Sequence, residues 1–419
     1  MGPPARMYDV VVVGGGVLGA CVSYWISATS EASVCVMEKE AGPARHASGR
    51  NTGVVHTPFY MDPGSRGKMA RASLESRPMW RDLAERHGVP WLEAGLYEAA
   101  ATEAQHAVLE RHARWAARNG VDPGDAVLLD GRDVARAEPG IRCHSALHAP
   151  REACTDYAAL TRAVRTEAEK LGVRFAPGSR VDRVREGAVT RGGREVGARL
   201  VINCAGGSSL QVARSAGLAD GYTALHFRGE YWISSVRLAG SCVYSVPTDP
   251  RFPFLDPHWI CRAGGGVEVG PNAVPVAGPE AYEGIGGPAE AAEKLAEVLS
   301  GGARRLVTSP AFVELASREW LSSVSKSAMV SRLAGILPGI RPGMFRERGT
   351  AGIRSPVVDP AGRMLDEALE LAGPGSYHVL NYNSPGATGA PAYARDLVGR
   401  IRGAGLLPPA GPPRHAVWR

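Results

Sequence analysis

Residues 14–19 (G-G-G-V-L-G) have the glycine spacing G-x-G-x-x-G, which is typical of a loop that binds a dinucleotide. Gly14 allows a tight turn, Gly16 lets the backbone approach a pyrophosphate, and Gly19 lets a helix pack closely on a strand. Glu38 follows Gly14 by twenty-four residues and can accept hydrogen bonds from an adenosine ribose. An ordinary glycine-rich loop would not require this acid, so the spacing predicts a dinucleotide site.

The sequence also predicts the elements that must position these residues. Apolar runs at 8–13 and 33–37 predict two buried strands, and residues 20–27 predict the helix between them. The first turn of that helix would direct free N–H groups and the positive end of its dipole at the phosphates. The second strand ends at Glu38, which puts the acid beside the glycine loop.

The composition is that of an ordinary soluble globular protein, with 44% hydrophobic and 21% charged residues. For 419 residues, two closely joined domains are expected. No apolar run reaches the length of a membrane span, and the N-terminal residues lack a hydrophobic signal core. A cytoplasmic protein is therefore expected, with peripheral association at the inner membrane face as an alternative. The seven cysteines form no C-x-x-C pair, so neither a disulfide framework nor a metal site is predicted.

The net charge of +6 does not indicate a nucleic-acid partner. Basic residues are spread along the chain with acids between them, and aromatic residues make up only 6%. A nucleic-acid groove needs a basic stripe with stacking aromatic side chains. The sequence carries no signature of an oligomeric state.

The rest of the pattern predicts a chain that leaves the dinucleotide site and later returns to it. Residues 198–205 predict a hydrophobic strand that closes in Ala205 and Gly206, where glycine permits close approach of the backbone to a ligand. Residues 222–282 alternate as a sheet and suggest the floor of a substrate pocket. The other predicted elements are helices at 64–88, 102–119, 156–171, 288–345 and 387–401, strands at 89–100, 173–175, 349–358 and 377–380, and a hairpin at 180–191.

Five further stretches match the motifs of one family, in the same order along the chain. They are 46–56 (H-A-S-G-R-N-T-G-V-V-H) for H-x-S-G-R-N-S-G-V-I-H, 227–231 for F-R-G-E-Y, 246–258 for V-P-x-P-D-P-R-F-P-F-L-G-x-H with one residue fewer before Asp249, 269–273 for L-G-P-N-A, and 381–388 for N-A-P-S-P-A-A-T. With these motifs the chain resembles FAD-dependent oxidoreductases of the D-amino-acid oxidase and glycine oxidase superfamily. Within it, the chain is most similar to the L-2-hydroxyglutarate dehydrogenases and oxidases.

The departures from this pattern concentrate in loops that should border the substrate. They are Thr57-Pro58 for a small residue and glycine, Ala94-Gly95-Leu96 for C-G-K, Arg354-Ser355-Pro356 for R-A-Q, and Tyr382-Asn383 for Ala-Pro. The cofactor half therefore matches the family better than the substrate half does.

The resemblance implies FAD held without a covalent bond, with a covalent link through His46 as the alternative. The helix that begins after residue 384 could stabilise negative charge on the reduced flavin. No second G-x-G-x-x-G offers a nicotinamide site, so electrons should enter from the substrate. The implied cofactor-binding residues are Gly14, Gly16, Gly19, Glu38, Lys39, His46, Ser48, Gly49, Arg50, Asn51, Thr52, Val181, Ala205, Gly206, Gly352, Gly386, Ala387 and Thr388.

His56 is the expected general base for an alcohol substrate. The hydroxyl proton must leave as the C–H hydride moves to flavin N5, and a neutral imidazole with an unperturbed pKa of about 6.5 suits this task at pH 7. His258 is the rival base, and His378 is expected to be structural.

Arg354, in the G-I-R of 352–354, is the expected anchor for a substrate carboxylate, because the planar guanidinium matches a carboxylate with two hydrogen bonds. Arg228 is a second candidate, although Glu230 lies near it in sequence and could pair with it. The remaining predicted substrate contacts are Tyr60, Tyr231 and Asn383.

The predicted fold is α/β (α+β), with a discontinuous Rossmann-like FAD-binding domain (1–90, 150–220 and 345–405), a β-rich substrate-binding domain (91–149 and 221–344) and a loose tail (406–419). The predicted reaction is the oxidation of a small 2-hydroxy acid, similar to L-2-hydroxyglutarate, to the 2-oxo acid. Oxygen, a quinone or another carrier would then accept the electrons. The alternatives are an amino-acid or amine oxidase, a tailoring enzyme for a larger biosynthetic intermediate, and a flavoprotein without enzymatic activity.

Overall fold

The computed structural model describes residues 7–247, 252, 254, 256–411, 414 and 417–418. Two eight-stranded sheets, three small sheets and eleven α-helices form a mixed α/β protein in this part of the chain. The predicted fold class is confirmed. The predicted secondary structure of residues 1–6, 248–251, 253, 255 and the undescribed tail residues lies outside the described residues.

The first eight-stranded sheet carries the glycine loop. Its strand β1 (Met7–Val13) pairs in parallel with β2 (Val34–Met37) on one side and with β12 (Arg194–Asn203) on the other. Strand β24 (Ser376–Leu380) extends the sheet in parallel beyond β12. Segments that are distant in sequence therefore meet at the carboxyl ends of these parallel strands. The strands are β1 (Met7–Val13), β2 (Val34–Met37), β9 (Arg174–Ala176), β10 (Arg183–Arg185), β11 (Ala188–Arg191), β12 (Arg194–Asn203), β23 (Leu369–Gly373) and β24 (Ser376–Leu380).

Four long helices share one hydrophobic core with this sheet, in which Val12, Ile26, Trp80 and Leu397 are buried. Residues 17–28 are buried along the first helix, because sheet and helices cover it on all sides. The helices are α1 (Val17–Thr29), α2 (Gly67–His87), α5 (Tyr157–Lys170) and α11 (Gly386–Gly403).

The second eight-stranded sheet has its own core around Trp259, Phe345 and Leu147. The strand pair predicted at 89–100 is divided between sheets, because Gly95 turns the chain with a φ of 65° and 96–100 then pairs with two other strands. The strands are β5 (Leu96–Ala100), β6 (Val127–Asp130), β7 (Ser145–Ala149), β15 (Trp232–Ser234), β16 (Cys242–Ser245), β17 (His258–Cys261), β18 (Val267–Gly270) and β20 (Glu347–Arg348).

Three small sheets position the residues of the site. One of them pairs Val55 with Ala153, and another pairs Phe227 with Arg354. They consist of β3 (Val54–Val55), β8 (Ala153–Thr155) and β4 (Trp91–Leu92); of β19 (Val274–Val276), β14 (His226–Gly229) and β21 (Gly352–Arg354); and of β13 (Thr223–Ala224) and β22 (Val357–Val358).

The remaining helices are short or lie at the periphery. The region 288–345, expected to be helical, contains four separate helices and a 3₁₀ turn. None of the helices within the described ranges is long and apolar enough to span a bilayer. These elements are α3 (Glu103–Arg118), α4 (Gly131–Ala137), α6 (Ser209–Ser215), α7 (Pro288–Ser300), α8 (Ala303–Val307), α9 (Pro310–Val324), α10 (Lys326–Ser331) and 3₁₀ turns at Pro58–Tyr60, Pro123–Asp125, Gly206–Ser208 and Pro342–Met344.

The described part of the C-terminal tail differs from the expected loose segment. Trp418 is only 4% exposed and packs edge-on against Tyr24 and Trp80. Its indole N–H donates to the carbonyl of Met79, and Arg414 donates to the carbonyl of Leu171. A large aromatic side chain gains enough from burial to fix a segment whose local sequence has no regular structure.

Candidate active site

A cavity of about 800 Å³ lies between the first sheet and the strands of the second sheet. One end is lined by the glycine loop, and the other by side chains such as Tyr244 and His258. Of the 246–258 motif, Phe252, Phe254 and His258 line the cavity, whereas 248–251, 253 and 255 lie outside the described residues.

The glycine loop has the geometry that the spacing predicts. Gly14 has a φ of 104°, and a Cβ there would lie 2.6 Å from the carbonyl oxygen of Cys204. A Cβ on Gly19 would lie 2.0 Å from the carbonyl oxygen of Gly14. Gly14 and Gly16 line the cavity, while Gly19 lies beneath the loop, where it allows the helix to pack.

Glu38 follows the second strand and lies against the glycine loop. Its Oε2 accepts a hydrogen bond from the Gly15 N–H at 2.6 Å, and its Oε1 accepts one from the Glu40 N–H at 2.8 Å. These two hydrogen bonds fix the carboxylate against the glycine loop, where it also lines the cavity. Four other predicted residues line the cavity, namely Lys39, Val181, Ala205 and Gly206.

The loop 46–52 crosses from this end toward the middle of the cavity. Ser48 accepts a hydrogen bond from the Val17 N–H at 2.9 Å, and so it lies at the first turn of α1. Gly49 is not among the lining residues; a Cβ there would lie 2.1 Å from the carbonyl oxygen of Ala44, so glycine is needed for packing. The other predicted residues of this loop line the cavity, namely His46, Arg50, Asn51 and Thr52.

Both ring nitrogens of His46 are engaged by neighbouring side chains. Nδ1 lies 2.7 Å from the Tyr282 hydroxyl, and Nε2 lies 2.9 Å from Oε1 of Glu40. The guanidinium of Arg50 lies over the Tyr282 ring, 4.0 Å from its centroid. A covalent flavin link through His46 would have to displace one of these hydrogen bonds.

The imidazole of His56 pairs with a buried carboxylate that the sequence did not indicate. Pairing of Val55 with Ala153 brings Glu152 beside His56, with Oε1 2.8 Å from Nδ1. His56 is 8% exposed and Glu152 1% exposed, and burial raises the pKa of Glu152 above its ordinary value. Because Nδ1 is engaged and the ring lines the cavity, Nε2 is the nitrogen left to exchange a proton there.

His258 lines the cavity but is a poorer proton acceptor. Its ring stacks on Tyr244 at 3.9 Å between centroids, and Nδ1 lies 2.9 Å from the carbonyl oxygen of Asp256. Burial lowers the pKa of His258 to about 3, so the ring stays neutral and binds a proton weakly near pH 7. His378 is fully buried beside Asn203 and is not among the lining residues.

Two arginines approach the cavity near Tyr60. Arg354 lies on β21, and its pKa is lowered first by burial and then by the positive charge of Arg66. Arg66, which no motif indicated, donates from Nη2 to the carbonyl of Ser384 at 2.9 Å. Burial raises the pKa values of Tyr60 and Tyr231, so both lining hydroxyls remain protonated donors.

Arg228 is placed differently from its expected role as a substrate anchor. Its side chain is 3% exposed, and its Nε donates to Oε1 of Glu230 at 3.1 Å. Its Nη1 donates to the carbonyl oxygens of Ala281 and Gly284. Arg228 is not among the lining residues, because these partners hold the guanidinium within the protein.

The start of the last helix completes the cavity wall. Gly386, Ala387 and Thr388 line it, together with Gly352 and Asn383. A Cβ on Gly386 would lie 2.8 Å from the ring of Tyr382, which explains the glycine. The amide oxygen of Asn383 accepts from the Ser355 N–H at 3.3 Å, so this side chain also ties the turn to the strand of Arg354.

These features fit an extended dinucleotide with a flavin at one end. The glycine loop leaves room that a Cβ would fill, the carboxylate of Glu38 lies beside this loop, and two helix N-termini border the cavity.

Comparison with known proteins agrees with this geometry. An L-2-hydroxyglutarate dehydrogenase from Salmonella houtenae is 27% identical over 405 residues, which cover 94% of this chain and 93% of the relative. A mitochondrial L-2-hydroxyglutarate dehydrogenase from Caenorhabditis elegans is 29% identical over 418 residues, covering 94% of each.

Solved structures show the same fold. Dithionite-reduced L-alpha-glycerophosphate oxidase from Mycoplasma pneumoniae with FAD bound matches with a TM-score of 0.76 at 19% identity, covering 98% of both chains. Glycine oxidase from Bacillus cereus matches with a TM-score of 0.67 at 18% identity, covering 95% of both. The model of the family described as FAD dependent oxidoreductase (DAO) matches residues 9–400, so the chain belongs to this family of FAD-dependent enzymes.

Proposed function

We propose that this enzyme oxidises the CH–OH group of a small 2-hydroxy acid, similar to L-2-hydroxyglutarate, to the 2-oxo acid. The observation that carries the proposal is the buried His56–Glu152 pair, whose imidazole lines the same cavity as Arg354. The names of the full-length relatives support the same substrate class. Because these relatives are named as dehydrogenases of a hydroxy acid, we place the reaction at a hydroxyl group.

His56 takes the proton of the substrate hydroxyl at Nε2 in this proposal. Glu152 holds the Nδ1–H, which selects the tautomer with a free Nε2 and stabilises the imidazolium that forms. Bound FAD supplies the acceptor for the hydride, which leaves the carbon that bears this hydroxyl group. The carboxylate of Glu152 is enclosed, so its charge acts on His56 with little screening by water.

Arg354 would hold the carboxylate of the substrate through its guanidinium fork. The protonated hydroxyls of Tyr60 and Tyr231 would donate hydrogen bonds to substrate oxygens. Anchoring the carboxylate fixes the adjacent hydroxyl carbon, which is how binding energy becomes orientation at the reacting atom. His258 would pack beside the substrate as a neutral ring.

The remaining expectations belong to the same proposal. FAD is bound without a covalent link by 1–90, 150–220 and 345–405, and the substrate is covered by 91–149 and 221–344. Oxygen or a carrier such as a quinone takes the electrons from the reduced enzyme. A tailoring reaction on a larger intermediate would use the same base and anchor.

Anaerobic bleaching of the flavin tests the proposal. The panel contains L-2-hydroxyglutarate, other 2-hydroxy acids and the matched 2-amino acids, each mixed with the holoenzyme. Bleaching by a 2-hydroxy acid at a rate well above that of its 2-amino analogue is the expected result. Bleaching by the amino acids alone would assign the enzyme to amine oxidation, and bleaching by no compound in the panel would contradict the proposed substrate class.

A further inference from the structure

We propose, building on the proposed function, that Arg66 binds a second acidic group of the substrate, so that the enzyme prefers dianionic hydroxy acids to simple monocarboxylates. The second group is a carboxylate or a phosphate, because both offer paired oxygen acceptors to a guanidinium. Neither the glycine loop nor any matched motif includes Arg66.

Arg66 and the strand end that carries Arg354 are both tied to the turn at residues 383–384. Arg66 donates to the carbonyl of Ser384, and the neighbouring Asn383 accepts a hydrogen bond from Ser355, which follows Arg354. Both arginines line the cavity. Burial raises the pKa of the Tyr60 hydroxyl, and the positive charges of Arg66 and Arg354 both act against that rise, so Tyr60 lies near each of them. A ligand in this cavity could therefore be reached by both side chains.

Arg66 retains a donor without an acceptor. Within the described ranges its Nε is buried and has no hydrogen-bond partner. An unpaired buried donor costs free energy unless a ligand supplies the acceptor. The single bond to Ser384 fixes the guanidinium while leaving Nε for that ligand.

The electrostatics also favour a dianion. The positive charge of Arg66 is the second cause, after burial, of the lowered pKa of Arg354, so the two guanidiniums repel each other. One carboxylate at Arg354 would offset only one of the two charges. A second acidic group at Arg66 would remove the remaining repulsion and satisfy its Nε.

Isothermal titration of the FAD-loaded enzyme with three unreactive ligands tests this inference. Glutarate carries two carboxylates, 4-phosphonobutyrate a carboxylate and a phosphonate, and pentanoate one carboxylate. At pH 7.5 and fixed ionic strength, wild type should bind a dianionic ligand more tightly than pentanoate. Arg66→Leu should weaken that ligand on the order of 30-fold and change pentanoate by less than about twofold.

Two further variants make the result specific. Arg66→Lys keeps the charge but loses the fork, so it should recover part of the affinity. Arg71→Leu removes the same charge from an exposed position on α2 and should leave all three affinities at wild-type values. Flavin content of each preparation checks that the variants fold.

Equal weakening of glutarate and pentanoate by Arg66→Leu would overturn the inference, as would dianions that bind wild type no tighter than pentanoate. Whichever dianion depends on Arg66 identifies the second group as carboxylate or phosphate. None of the three ligands has a hydroxyl group to oxidise. Failure of L-2-hydroxyglutarate to bleach the flavin would therefore count against the proposed function without touching the binding result.

Discussion

Nδ1 of His56 and Oε1 of Glu152 lie 2.8 Å apart, with both side chains buried and the imidazole facing the cavity. The pair joins the segment after β3 to the segment before β8, which are ninety-six residues apart in sequence. A histidine whose one nitrogen is held by a carboxylate presents a defined second nitrogen to a substrate.

Glu152→Gln should slow flavin reduction by about a hundredfold with little change in substrate affinity. The amide can still accept the Nδ1–H bond, but it no longer offers a negative charge to the imidazolium. Stopped-flow reduction at several pH values separates the limiting rate from the apparent Kd.

The matched control is Glu167→Gln, which alters a similar histidine–carboxylate contact at His87, 2.9 Å long and outside the cavity lining. A Glu152→Gln enzyme with a wild-type rate and pH profile would show that Glu152 serves packing alone.

Arg354→Leu and Arg228→Leu should fail in different ways. Loss of the Arg354 guanidinium should raise the apparent Kd of a 2-hydroxy acid by about 30-fold in a protein of normal stability. Loss of Arg228 leaves buried Glu230 with a longer contact to Arg348 at 3.7 Å and a hydrogen bond from the Asn272 amide, and it should lower the free energy of unfolding by about 3 kcal/mol. Urea unfolding and substrate titration distinguish the two variants. A stable Arg228→Leu enzyme with weak substrate binding would show that Arg228 binds the substrate.

Gly19→Ala should give a protein that binds little FAD and unfolds at lower temperature. The new Cβ would lie 2.0 Å from the Gly14 carbonyl oxygen, so the glycine loop must move, at a cost of at least about 2 kcal/mol. The control is Gly399→Ala in α11, where nothing lies within 4 Å and the helix should gain about 0.5 kcal/mol. The flavin-to-protein absorbance ratio and thermal unfolding report both, and normal FAD content in Gly19→Ala would contradict the packing argument.

The free energy of unfolding should fall as the pH drops from 7.5 to 5. Burial lowers the pKa values of His226 and His258 to about 3 and of His378 to about 4, from an ordinary 6.5. Below pH 6.5 these three histidines therefore bind protons in the unfolded chain but not in the folded protein. By pH 5 each of them lowers the free energy of unfolding by up to about 2 kcal/mol.

The variant His378→Asn isolates one of these contributions. Urea unfolding at both pH values should show a drop smaller by up to about 2 kcal/mol than in wild type, since the other titrating groups cancel in the difference. An unchanged drop would mean that His378 is protonated in the folded protein.

Precipitation of the holoenzyme with trichloroacetic acid should release yellow FAD into the supernatant. Both ring nitrogens of His46 are engaged, by Tyr282 at 2.7 Å and by Glu40 at 2.9 Å, so neither is available to a flavin carbon. Colour that stays in the pellet after washing would show a covalent bond instead.

Local sequence was enough to predict the geometry of the glycine loop. The requirements there are imposed by the backbone itself: Gly14 has a positive φ, and Gly19 has no room for a Cβ. Glu38 ends a strand whose apolar run is visible in the sequence. Such constraints act within one βαβ unit, so they leave a pattern that can be recognised without the rest of the fold.

The arrangement around His56 and Arg66 depended on contacts between distant segments. Pairing of β3 with β8 brings Glu152 to His56, and the turn before α11 fixes Arg66. Arg228 was expected to bind the substrate and residues 406–419 to be loose. Neighbours that only folding supplies hold Arg228 in a buried ion pair and Trp418 in a core.

The geometry of the glycine loop, the strand before Glu38 and the family could be read from the sequence, because glycine sterics and motif order are local properties of the chain. Folding alone places Glu152 behind His56 and brings Arg66 and Arg354 to the cavity. The charge environment of a side chain is set by whatever folding places within a few ångströms of it, and sequence separation carries no record of that distance.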